Sequence, residues 1–91
     1  MVKGGRNKST AYRLIASALL DKDDISGAIR ACQKAVSHSG EIRKWERHRY
    51  ERLEQIYRFA RRVHLIDGNF VKSDKYNRRL TVLYKEKNKC N

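Results

Sequence analysis

"AYRLIASALLDKDDISGAIRACQKAVSHSG", residues 11–40, decides the fold class, because it carries two apolar patterns of helical period separated by one polar turn. Ala11, Leu14, Ile15, Ala18 and Leu19 recur at the spacing of one helix face, with Ser9 or Thr10 placed to cap its start. "DKDD" closes this helix, and Asp23 or Asp24 caps a second with Ile25, Ala28, Ile29, Cys32, Ala35 and Val36 on one side. So short a connection forces the two helices antiparallel. Small residues at Ala16, Ala28, Ala31 and Ala35 let the backbones approach closely.

Downstream, "EIRKWERHRYERLEQIYRFARRVH", residues 41–64, runs without glycine or proline and predicts a long third helix. Ile42, Trp45, Leu53, Ile56, Ala60 and Val63 share one side as a core stripe, and Tyr57 joins Trp45 in the core. Arg49 falls inside that stripe, so it must snorkel, pair with a carboxylate such as Asp21 or Asp24, or face a partner. Gly40 and Gly68 mark helix ends. Beyond Gly68, Ser73 can cap a fourth helix with Tyr76, Leu80 and Leu83 inward; "RLTVLY" also has strand composition, but its spacing and the "KEKNK" ending favour a helix. The expected architecture is all-α. It is a small bundle of three to four helices with an N-terminal antiparallel hairpin and a long basic third helix. Residues 1–8 form a flexible basic arm, 9–87 a single helical domain and 88–91 a frayed tail.

Residues 9–40 resemble one tetratricopeptide repeat. Tyr12, Ile15, Ala16, Leu19, Ala28 and Ala35 match that motif's aromatic, Leu, small, large, Ala and Ala spacings, and "KDDISGAI" resembles its inter-helix turn. Cys32 stands where an aromatic is usual and Gly40 where proline commonly ends the unit. A shift of one repeat length finds no second copy, so the resemblance implies hairpin geometry and a protein-binding role without a solenoid. A second stretch, "AVSHSGEIRKWERHR", is similar to the recognition-helix region of phage-repressor-type helix-turn-helix proteins through Ala31, Val36, Ser37, Ile42, Trp45, Glu46 and Arg47. Its connection from Val36 to Ile42 is one residue longer than in that family. The resemblance implies DNA binding in the major groove.

The 91 residues include 22 Lys and Arg against 10 Asp and Glu, a net charge of +12 that strains a compact chain by self-repulsion. Residues 11–40 are nearly neutral. The excess sits in the first ten residues, in 41–64 and above all after residue 71. A polyanionic partner relieves such strain, since each phosphate neutralised releases condensed counterions. The candidate nucleic-acid-binding residues are Arg43, Lys44, Arg47, Arg58, Arg61, Arg62, Lys72, Lys75, Arg78 and Arg79, with Tyr50, Phe59 and Tyr84 available to stack on bases. Helix-spaced pairs of Arg43 with Glu46, Arg47 with Glu51 and Glu54 with Arg58 would neutralise part of this face. The expected partner is nucleic acid, RNA ahead of DNA and duplex RNA included, bound through phosphates without sequence specificity. The alternative is a protein-interaction module binding an acidic partner or forming a homodimer. Small viral or phage genomes encode basic helical chains of this size for use against nucleic-acid-based host machinery, which sets an expectation about context.

Catalysis has little to stand on. His38, His48 and His64 are scattered over different elements, and no nucleophile, carboxylate pair or glycine-rich loop is placed to work with them. Cys32 and Cys90 lack zinc-motif spacing and make no disulfide framework. The expectation is therefore a non-enzyme without cofactor or metal, in a reducing cytoplasmic or nuclear compartment, not secreted and with no membrane partner.

Overall fold

A computed structural model describes residues 5–42 and 48–89, and places four helices in them: α1 (Gly5–Asp21), α2 (Ile25–Ser39), α3 (Arg49–Ile66) and α4 (Phe70–Lys89). They pack in chain order, with α1 also reaching α3. The all-α expectation holds, and the fourth segment is helix throughout. Helix α1 begins at Gly5, so it takes up half of the expected arm, and α4 continues to Lys89. The molecule measures 39 × 34 × 16 Å. Because one helix with its side chains is about 10–12 Å across, this slab is too thin to cover both sides of every helix.

Two helix ends share one device. At the end of α1 the Asp24 N–H donates to Leu19 O (2.9 Å) and Asp23 N–H to Leu20 O (3.0 Å). At the end of α3 the Asn69 N–H donates to His64 O (2.8 Å) and Gly68 N–H to Leu65 O (3.0 Å). Both are Schellman closures, which need one left-handed residue. Gly68 supplies it at φ 79°, but in the first turn Asp23 takes φ 62°. Asp24 then caps α2, its carboxylate accepting from the Gly27 N–H at 3.0 Å. Asn69 starts α4 in the same way, accepting from the Lys72 N–H at 3.2 Å.

The hairpin is antiparallel, and Ala16, Ala28, Ala31, Cys32 and Ala35 are buried along its seam. The inward face of α1 differs from the expected one. Ser9 and Ala16 are buried with Tyr12 and Leu19 partly so, whereas Ala11, Leu14, Ile15 and Ala18 face solvent. Nor is Ser9 a cap: it lies inside α1, and its hydroxyl donates to Ala35 O at 2.7 Å. The reason is that α1 carries two apolar stripes on opposite sides. The one with the small residue and the buried hydroxyl seats closest to α2.

The third helix starts later than expected. Glu41 and Ile42 lie in a turn tied back to α2 by backbone bonds to His38 O and Ser39 O. Ile42 is nonetheless core, packed with Leu53, Ile56 and Leu83. Ala60 joins Ala16, Ala31, Cys32 and Tyr76 in a second cluster, with Tyr57 and Phe59 packed against it. Trp45 lies outside the described residues. On α4, Tyr76, Leu80 and Leu83 point inward as expected, while Ser73 is buried within the helix and donates to Arg61 O at 3.1 Å.

Candidate nucleic-acid interface

Helices α3 and α4 form a second hairpin, and it carries most of the candidate cations. One flank of its seam is polar. The Arg61 guanidinium donates to Asn77 Oδ1 (3.0 Å), the Tyr84 hydroxyl donates to Glu54 (2.6 Å), and Arg58 reaches both Glu54 (3.4 Å) and Tyr84 (3.5 Å). The Tyr84 hydrogen bond, then electrostatic attraction to Tyr84 and Glu54, hold the Arg58 proton more firmly than usual. The expected Glu54–Arg58 pair therefore forms, and Tyr84 serves it as a hydrogen-bonding partner. The other two expected pairs involve Arg43 and Arg47, which lie outside the described residues, as do Lys44 and Glu46. Glu51 faces His48 at 3.6 Å.

The opposite flank holds a groove of about 690 Å³. Leu53 and Tyr57 of α3 and Val71, Val82 and Leu83 of α4 give it apolar walls, and Arg49, Lys75, Arg78 and Arg79 stand around it with Asp74 and Glu86. Arg78 pairs with Asp74 at 3.0 Å. Arg79 reaches no carboxylate among the described residues; its guanidinium lies over the rings of Tyr57 (5.8 Å) and Tyr76 (5.4 Å), a cation–π arrangement. Of the three outcomes open to Arg49, pairing is the one seen, with Glu86 at 3.9 Å in place of Asp21 or Asp24, and its guanidinium lies over the Tyr50 ring. Its Nε is buried without an acceptor.

The expected site is thus split. Arg58 and Arg61 lie on one flank, while Lys75, Arg78 and Arg79 line the other, and Arg62 and Lys72 are exposed. Sequence reasoning missed the groove, although Arg49 inside an apolar stripe was its signal. Of the proposed stacking residues, Phe59 packs against the core, and Tyr50 is half-buried under Arg49.

Comparison with protein-family models, curated proteins and solved structures gives no match to this chain.

Charge on this hairpin is unevenly compensated. The four acids on its two helices each face a basic side chain: Glu54 pairs with Arg58, Asp74 with Arg78 and Glu86 with Arg49, while Glu51 faces His48, which is charged only when protonated. Asp67, in the turn, makes no ion pair among the described residues. Among the described residues, Arg52, Arg61, Arg62, Lys72, Lys75, Arg79, Lys85, Lys87 and Lys89 of α3 and α4 reach no carboxylate.

Two titratable groups lie behind this surface. His64 is 2 % exposed, stacks in parallel on Tyr76 with centroids 5.7 Å apart, and has an Nδ1 without a partner. Burial, then repulsion from Lys72, holds its pKa below the ordinary imidazole range, with Asp67 opposing. Burial pushes the Cys32 thiol up to about 11, which keeps it protonated and unreactive. No group of three or more His, Cys, Asp or Glu side chains among the described residues could hold a metal ion. No described helix is long and apolar enough to cross a membrane.

Proposed function

We propose that this protein binds nucleic acid through the phosphate backbone, with the α3–α4 hairpin as its main contact surface. One observation carries the reading: among the described residues, three of the four acids on the two helices pair with an arginine and the fourth faces His48, yet nine of the helices' cations have no carboxylate. Exposed ion pairs stabilise a fold by only about 0–1 kcal/mol each, so an unpaired excess gains nothing for stability and adds self-repulsion. Phosphates reverse that balance. Each one neutralised releases condensed counterions, and cations held on rigid helices contact phosphate at little entropic cost.

RNA stands ahead of DNA in this proposal. Duplex RNA is recognised by shape and by phosphate and ribose contacts more than by base edges, and helices carrying dispersed cations support that mode. Arg62, Lys72, Lys75 and Arg79 are the expected main contacts, with Arg61 on the polar flank, and the already paired Arg58 and Arg78 contributing less. The test is fluorescence anisotropy with duplex RNA, single-stranded RNA and duplex DNA across a salt series beginning near 50 mM, where non-specific phosphate binding is still strong. The reading requires binding whose logarithm falls linearly with that of salt. If none of the three probes binds at the lowest salt, the proposal is wrong.

A further inference from the structure

We propose that this chain self-associates head to tail, the outer stripe of α1 in one copy entering the α3–α4 groove of the next. The contact needs no nucleic acid, although it draws on groove cations that the proposed function also uses. Two unpartnered surfaces of matching chemistry carry it.

The first is the solvent side of α1. Ala11, Leu14, Ile15 and Ala18 recur at i, i+3, i+4 and i+7 and all face outward, with Leu14 56 % and Ile15 49 % exposed. The opposite side of the same helix already packs against α2 through Ser9 and Ala16. A helix apolar on both sides belongs in an interior, and among the described residues of one copy only one side has cover.

The second surface is the groove. Its walls are Leu53, Tyr57, Val71, Val82 and Leu83, and Val82 is 55 % exposed. From Val71 to Glu86 it follows α4 for about 22 Å, and the α1 stripe from Ala11 to Asp21 needs about 15 Å, at 1.5 Å per helical residue. An amphipathic helix laid in an apolar groove is a recurring recognition mode, read as anchors at these spacings.

Charge selects a second copy as occupant. Four cations and two acids line the groove, and both acids are already paired, leaving Lys75 and Arg79 without a carboxylate. The α1 stripe ends at Asp21, with Asp23 and Asp24 in the turn beyond, and these three are the only acids in the first forty residues. Docking therefore brings the chain's own acidic turn towards its own uncompensated cations. Stripe and groove are different surfaces, so the contact is heterologous and either closes into a ring or propagates.

The experiment is sedimentation velocity on the whole chain, without nucleic acid, up to about 0.5 mM, a range that reveals even weak association. The expected result is reversible growth from monomer to dimer and larger species. Leu14→Asp removes the stripe and Val82→Asp the groove wall. Both positions are exposed, so each variant should keep the parental circular dichroism and weaken association at least about tenfold. Mixing the two variants should restore a dimer that grows no further, because one keeps an intact groove and the other an intact stripe. A chain that stays monomeric throughout overturns the proposal. So does a Val82→Asp variant that still associates, since the stripe would then pair with a surface other than the groove.

Discussion

The Ser9 hydroxyl, wholly buried between α1 and α2, donates to the carbonyl of Ala35 at 2.7 Å, joining residues 26 apart in the chain. This bond ties the two helices together at one point of a seam whose other buried apolar residues are mostly alanines, which have little side chain to interlock. At the same end Tyr12 stacks on His38 at 5.5 Å, and Lys34 Nζ stands 5.5 Å from the Tyr12 ring centre. Ser9→Ala should therefore lower unfolding free energy by about 1–2 kcal/mol, the cost of losing a buried hydrogen bond. Urea denaturation measures it. A change within a few tenths of a kcal/mol would show that Ser9 makes no such bond in solution.

Asp23 holds a left-handed backbone, φ 62°, in a turn where glycine carries no steric cost. Its carboxylate caps nothing; the cap of α2 is Asp24. Asp23→Gly should raise stability by up to about 1 kcal/mol, read as a higher melting temperature. The reverse change at Gly68, φ 79°, should cost a similar amount as Gly68→Ala, although a Cβ there would touch nothing, since the strain is in the backbone.

These two turns show why much of the fold was legible. The "DKDD" and "DG" punctuation, the alanine seam and the inward positions Tyr76, Leu80 and Leu83 are local signals, and all four appear where the sequence put them. What failed was a choice between equals. On α1 the stripe of larger residues looked like the core face, but close packing against α2 favours the stripe with Ser9 and Ala16. Period alone cannot rank two apolar sides of one helix. The start of α3 was illegible for a related reason: Ile42 is buried from a turn, and its periodicity with Leu53 and Ile56 imitates a continuous helix. Of the candidate site, charge identified the cations, but which of them a carboxylate would neutralise depended on pairings across the hairpin, such as Arg49 with Glu86.

Cys32 should be inert in the native state. It is 1 % exposed and burial pushes its pKa up to about 11, so the thiol stays protonated near pH 8. In a Cys90→Ser background, labelling by a thiol-disulfide reagent should be slow in buffer and rapid in denaturant. Fast native labelling would place Cys32 outside the core.

Pairing predicts a hierarchy among the cations. Arg62→Gln with Lys75→Gln removes two uncompensated charges, whereas Arg58→Gln with Arg78→Gln removes two already matched by Glu54 and Asp74. Net charge falls equally in both double variants. If phosphate contact rather than overall field drives binding, the first pair should flatten the salt dependence for duplex RNA by about two in slope, and the second by less. Equal losses would mean that the protein acts only as a diffuse positive body.

His64 should make stability depend on acid. The imidazole is buried against Tyr76, and desolvation with the nearby Lys72 charge depresses its folded pKa below the unfolded value. The unfolded chain thus binds a proton that the folded chain resists. Stability from this group is complete above the unfolded pKa, about 6.5, and is lost as pH falls from there through the folded value. Melting temperatures should decline between about pH 7.5 and pH 5. His64→Phe keeps a ring against Tyr76 and removes both the titration and the unpartnered Nδ1. That variant should lose much of the decline and match or exceed the parent at the lower pH. A parent and variant with parallel pH profiles would show that the acid sensitivity comes from other groups.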